Sequence, residues 1–373
     1  MHPMILFLLK TILACVAIFV IGIVLALVAG ILKLRKIAAQ QWDEFEETMA
    51  QGGYAPPMRL NLSPTKKLSW SDSDHIAKII STLKSVGYEP DGQFDTANPF
   101  RTLVQGFRHN ALPGYAVLCE DEYYKTTWVD LFAQLPDDRL VRVTTSPDDG
   151  LDSPDFIHLI RNEDTDLSEP DQIRKLHQLL LDHIDDHSTQ APSENAFENF
   201  YRNSWARIMD WRMERGGITT EEAIRIAKMK GTSEPAEADI ERSKHPWKKE
   251  IDEYISNKIR KDYLWRTELT KKQKEDIHDR LVVVHERSEP ARLASIMADI
   301  INDDNEQNSD HEADSSSIEN QFKEYFISDK SLIEGFRQAM AQIPREKQFA
   351  LQGSTESPWK SEIYLSPKYY DEY

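Results

Sequence analysis

Apolar positions are spread unevenly along this 373-residue chain. From Thr11 to Leu32 they form a run of 22 residues without a charge, TILACVAIFVIGIVLALVAGIL. A helix of that length spans about 33 Å, enough for the roughly 30 Å hydrocarbon core of a bilayer. No polar stripe interrupts it, as one would in an amphipathic helix of a soluble domain. A cleaved signal is disfavoured. The run outlasts the usual apolar region of a signal, and Leu27-Val28-Ala29 puts a large residue where cleavage needs a small one. Residues 1–36 are therefore expected to form an uncleaved transmembrane helix, with Thr11 to Leu32 in contact with the lipid bilayer.

Behind the run the pattern becomes amphipathic over 37–52 and stops at Gly52-Gly53. Pro56, Pro57 and Pro64 then mark an extended stretch, so 37–70 reads as a helical stalk and a Pro-containing linker. At Ser71-Asp72-Ser73-Asp74 a cap signal opens a helix whose Ile76, Ile79, Leu83 and Val86 recur at helical spacing up to Gly87. The period then shortens. Segments with strand character fall at about 102–109, 115–120, 127–135, 140–145 and 156–161, with a further one at 88–94. The short connections 110–114 and 135–138 suit hairpins and hence antiparallel neighbours. A helix over 170–187 carries Ile173, Leu176, Leu180 and Ile184 along one stripe. The fold class expected is α+β: a small antiparallel-sheet domain over 71–187, flanked by helices that share one face of the sheet.

Ser188 to Ser193 separates this domain from a region, 194–343, in which every amphipathic stretch reads as helix. These include 194–215, a short helix between Thr220 and Gly231, 247–265, 270–286, 289–302, 318–327 and 330–343. An acidic segment without large apolar residues, 303–317, reads as a disordered loop, and 344–373 as an irregular tail.

Charge adds topology. Lys33, Arg35 and Lys36 follow the apolar run, against Lys10 and the terminal amine before it, which favours a cytoplasmic C-terminal body. The two cysteines agree: Cys15 lies in the run, so Cys119 has no intramolecular disulfide partner outside it. A formal net charge of −18 opposes binding to nucleic acid or to anionic lipid except through a local patch. One such patch exists between Lys244 and Lys274, with Trp247, Tyr254, Tyr263 and Trp265 interleaved. Its Lys258, Arg260 and Lys261 are the expected contacts to anionic lipid.

Candidate chemistry is sparse. His177, His183 and His187 sit on one helix, and His183 and His187 share a face as two metal ligands must. However, Ile184 stands where a zinc protease has its glutamate, and no third ligand is indicated. Cys119 is flanked by Glu120 and Asp121, which would raise rather than lower its pKa; alternation puts it with Tyr115 and Val117 as a small buried side chain. His109, Asp130 and His158 fall in strands and would make an acid–base site only if the fold brought them together. Phosphate-binding glycine loops and the G-x-S-x-G elbow are absent. No stretch matches a family's motif closely enough to carry residues across by resemblance. The sequence assigns no catalytic, cofactor or metal residue. It points to a single-pass, membrane-anchored, non-catalytic interaction or scaffold protein at the cell membrane, with an enzyme site on the sheet face as the rival.

Overall fold

The computed structural model describes residues 55–96, 101–121, 125–162, 167, 169–184, 191–302, 315–327, 331–356 and 358–367. The apolar run, the stalk at 37–52 and most of the acidic segment 303–317 lie outside the described residues. Among the described residues no helix is long and apolar enough to cross a membrane.

The body is mixed α and β. Seven strands form one sheet in sequence order: β1 (Ser63–Pro64), β2 (Tyr88–Thr96), β3 (Thr102–His109), β4 (Gly114–Asp121), β5 (Thr127–Gln134), β6 (Leu140–Thr144) and β7 (Ile157–Arg161). Neighbours are antiparallel except the last pair, where β7 runs parallel to β6 after the connection 145–156. Alternation along β4 supplies both faces: Ala116 and Leu118 point one way, Tyr115, Val117 and Cys119 the other. The first face is covered by α1 (Ser73–Ser85) and α2 (Pro170–Leu181). Their stripes Ile76, Ile79, Leu83 and Ile173, Leu176, Leu180 bury Phe107, Leu118, Leu131 and Val143.

The second face is covered by α3 (Phe197–Glu214), the first helix beyond the domain boundary. Phe197, fully buried, lies flat over Gly106 of β3; a Cβ at that glycine would stand 2.1 Å from the Phe197 ring. Asp91 of β2 accepts hydrogen bonds from the backbone N–H of Asn195 (2.7 Å) and Phe197 (2.8 Å), at the start of the same helix. Part of the stretch expected to be a linker, residues 55–62, is packed against the body. Trp205 Nε1 donates to the Pro57 carbonyl at 2.8 Å and Arg202 to the Leu62 carbonyl at 2.7 Å, and Met58 and Leu62 are buried.

The C-terminal half departs from the all-helical expectation. After α4 (Thr220–Met229), the long α5 (Glu237–Trp265) and α6 (Lys271–His278), the chain forms β8 (Leu281–His285). Helices α7 (Pro290–Asn302), α8 (Ser315–Ile327) and α9 (Leu332–Met340) follow, then β9 (Ala350–Thr355) and β10 (Ser361–Leu365). The three strands make an antiparallel sheet in the order β8-β10-β9. Its faces are buried against α5 on one side and α7 to α9 on the other. The run from Leu281 to Val284 is apolar at every position because both faces of β8 are covered, and such a short run has no period to separate it from helix. The 344–373 stretch supplies the other two strands, so it is not an irregular tail.

Replacing Gly106 by Ala is expected to cost about 2–3 kcal/mol, since the new methyl meets a ring held between sheet and helix. In a Phe197→Leu background the same change should cost less than about 1 kcal/mol, because the opposing ring is gone. Urea unfolding of the four variants of this cycle measures it; equal costs in both backgrounds would remove Phe197 as the cause.

Candidate functional site

A cleft with buried polar groups at its base lies on the α3 side of the large sheet. Register places Val117, Asp130 and Thr144 side by side on this face, with Cys119 two residues along β4 and Arg142 on β6. Asp130 is buried (2% exposed) and accepts from Arg142 Nη2 at 2.9 Å. Tyr201 of α3 reaches down to the same spot, its hydroxyl hydrogen-bonded to the Cys119 sulfur. Burial first, and the neighbouring Asp130 second, push the Cys119 thiol well above its usual range, so it stays protonated and is no nucleophile. Burial likewise raises the Tyr201 phenol, with Cys119 and Asp130 adding to the effect.

Above this quartet opens a cleft of about 150 Å³ walled by Leu151, Pro154, Leu159, Trp205, Ile208 and Met209. A cavity of that size holds a molecule as large as benzene, well below the 300 Å³ or more of ordinary cofactor sites. Asp130 Oδ1 and Arg142 Nε, both buried, have no hydrogen-bond partner. Each orphaned buried polar atom costs about 1–3 kcal/mol, which is uncommon outside functional or strained sites.

The other candidates from the sequence do not converge here. His109 faces the opposite side of the sheet, under α2: its ring is 5.5 Å from His177 and 4.9 Å from Tyr88. There His109 Nε2 donates to the Val86 carbonyl, and Nδ1 accepts from the N–H groups of Ala111 and Leu112, so the ring braces a hairpin turn. His158 pairs across β6 with Val141, on that same side, and its ring lies 4.9 Å from His183. Asp130 is thus separated from both histidines by the sheet itself. Among the described residues no group of His, Cys, Asp and Glu has metal-site geometry; His187 lies outside them.

A serine, a histidine and an aspartate do meet elsewhere, unannounced by any motif. Asp252 and Ser256 of α5 and His285 of β8 are all buried. Their wiring is structural. Asp252 Oδ1 lies 3.0 Å and Ser256 Oγ 3.3 Å from the same ring nitrogen, Nε2, whereas Nδ1 accepts from the Arg287 N–H. In a nucleophilic triad the acid and the nucleophile occupy different nitrogens. Here one nitrogen serves both and the other is spent on backbone. Asp252 also accepts two bonds from Arg292 and one from the Glu289 N–H. Burial alone would raise its pKa, yet the His285 hydrogen bond and the Arg292 charge outweigh that and hold it below the usual carboxylate value. The sequence did hold a clue: Asp252 and Ser256 sit four apart inside the apolar stripe of Ile251, Ile255 and Ile259.

The buried histidines give the body a pH dependence. Burial first, then His109, lowers His177 from 6.5 to about 4, and burial lowers His109 as well. The unfolded chain binds these protons near pH 6.5 and the folded chain does not. Stability is therefore complete above that pH and lost as pH falls from about 6.5 towards 4. His177 is only half-buried, so screening reduces its share to roughly 1–2 kcal/mol. Chemical denaturation across this range should show the decline in wild type and a shallower one in His177→Leu; equal slopes would exclude His177.

No family model matches this chain, and neither a curated protein nor a solved structure matches it.

Proposed function

We propose that the chain is a membrane-tethered, non-catalytic interaction protein with its folded body, from Ala55 onward, on the cytoplasmic side of a cell membrane. The observation that carries this reading is the charge-free run from Thr11 to Leu32, long enough to span a bilayer and followed at once by Lys33, Arg35 and Lys36. The polar groups of the body support the second half of the reading. Asp91, Asp252 and His285 are spent on joining elements to one another, and His109, Asp130 and His158 are held apart. The full chain should therefore stay with membranes through alkaline carbonate washing, and a chain lacking residues 1–36 should be released. Reporters fused after Thr48 and at the C-terminus should be active only as cytoplasmic reporters. Recovery of the full chain in the wash, or activity of an outside-only reporter, would overturn the tether or its orientation respectively.

A second reading rests on one observation, the cleft over Asp130 and Arg142 with its two orphaned polar atoms. A small neutral molecule offering a donor and an acceptor side by side, such as a primary amide on a ring, would answer both. The ion pair is itself neutral and favours neither sign of ligand. Benzene-sized amides, acids and amines, screened by thermal shift, should single out the amides, and Leu159→Phe, which fills the cleft, should abolish the shift. An unselective or absent response would dismiss the cleft as a site.

A further inference from the structure

The basic stretch between Lys244 and Lys274 does not present a single face. Arg260 is drawn inward, donating to the Leu281 carbonyl at 2.9 Å and to Asn257 at 2.7 Å, and Lys258 lies over the Trp359 ring at 5.4 Å. Of the three cations singled out in the sequence, only Lys261 lines the open surface at the end of α5. There Trp265 is 84% exposed, the largest exposure among the large apolar side chains in the described residues. It borders a shallow groove of about 460 Å³, floored by Leu264 and Leu269 and rimmed by Lys261, Lys271 and Lys274. One carboxylate, Glu275, shares the rim, 3.7 Å from Lys271 in a fully solvated pair.

We infer that this groove is a second membrane contact, in which the Trp265 indole enters the headgroup region of an anionic leaflet and Lys261, Lys271 and Lys274 meet its phosphates. The inference rests on the tether reading above. Four observations favour a bilayer as the occupant. An indole has an apolar body and one N–H donor, the chemistry enriched at membrane–water interfaces. The rim carries three ammonium groups against one carboxylate in a chain whose overall charge is −18. Lysines do not require a shaped partner, as bidentate arginines do, and suit a fluid array of phosphates. The tether also reaches. The 22 residues between Leu32 and Ala55 cover about 33 Å even as a helix and more if extended. Ala55 packs in the cluster that holds Trp247 and Ile251, and from Ile251 to Trp265 along α5 is about 21 Å. Over residues 261–279 five basic and five acidic side chains cancel, so the attraction comes from the rim and the insertion from Trp265 with Leu269.

The test uses the full chain in lipid nanodiscs, with Cys15→Ser and an environment-sensitive dye on Glu268→Cys, beside the groove; Cys119, 1% exposed, stays unlabelled. Discs of phosphatidylcholine are compared with discs that also contain phosphatidylglycerol. The expected result is a blue-shifted emission in the anionic discs that is lost in Trp265→Ala. Each of Lys261→Gln, Lys271→Gln and Lys274→Gln should lower the docked-to-free ratio about fivefold. A dye at Met229→Cys, 55% exposed on α4, should report water in both discs. Emission from position 268 that stays water-like while the chain is in the disc would overturn the inference and leave the tether standing. A shift at position 229 as well would mean unspecific adsorption and overturn it too. A chain that never enters discs would remove the tether reading and this inference with it.

Discussion

The whole body turns on a missing atom. At Gly106 the sheet has no Cβ, and the ring of Phe197 occupies the space where one would stand. That close approach seats the first turn of α3 on the sheet and brings Tyr201, Ser204 and Trp205 over it in turn. The cleft above Asp130 exists because α3 starts at this height. Phe94 and Tyr201 stack with the Phe197 ring, at 6.0 and 5.3 Å between centroids, and add to the contact. The extended segment from Ala55 to Leu62 then lies along α3 and depends on that helix for Trp205 and Arg202.

Buried carboxylates perform the same task at four places. Glu120 accepts from the N–H and hydroxyl of Ser71 just before α1, and Asp91 from the first N–H groups of α3. Glu222 accepts from Thr219 at the start of α4 and from the Asp152 N–H, with Arg212 and Arg215 as counter-ions. Asp252 accepts from the Glu289 N–H just before α7. In each case an anion buried at a cost is placed where unpaired N–H groups and the positive end of a helix dipole converge. Each of the four carboxylates makes a link to a residue more than 30 positions away in the chain. Removing such a carboxylate would strand several donors at once, so these positions bind the architecture together in a way that apolar contacts alone do not.

This explains what was legible in the sequence. The strands from 88 to 145 were marked off by turn residues, and the short connections 110–114 and 135–138 fixed their order. The stripes of α1 and α2 were plain for a different reason: each has one wet side. The second sheet was hidden. Its β8 is apolar from Leu281 to Val284, and β9 and β10 are joined to it only across the intervening α7, α8 and α9, a pairing that no local period encodes. The candidate site was legible residue by residue and illegible as a constellation. Asp130, His109 and His158 were visible as polar residues in strands, but the side on which each falls depends on register, and one residue of register inverts the answer. Tyr201 falls in the amphipathic stretch 194–215, and its hydroxyl finds a partner, Cys119, 82 positions away, which no local pattern shows.

The packed segment from Ala55 to Pro64 also changes what a tether to this body would mean. Read as a linker, the chain would commit itself to the body only at residue 71. In the structure, the Pro57 carbonyl, Met58, Arg59 and Leu62 are already fastened to α3 and α5, by Trp205, Glu250, Asp210 and Arg202. Between Leu32 and Ala55, the first described residue, stand 22 residues, against 38 for a linker running through residue 70. A shorter tether raises the effective concentration of the body at whatever surface holds its other end, because the volume it explores shrinks steeply with length. For a chain held in this way, a groove too weak to bind a membrane from solution would meet one at that raised concentration.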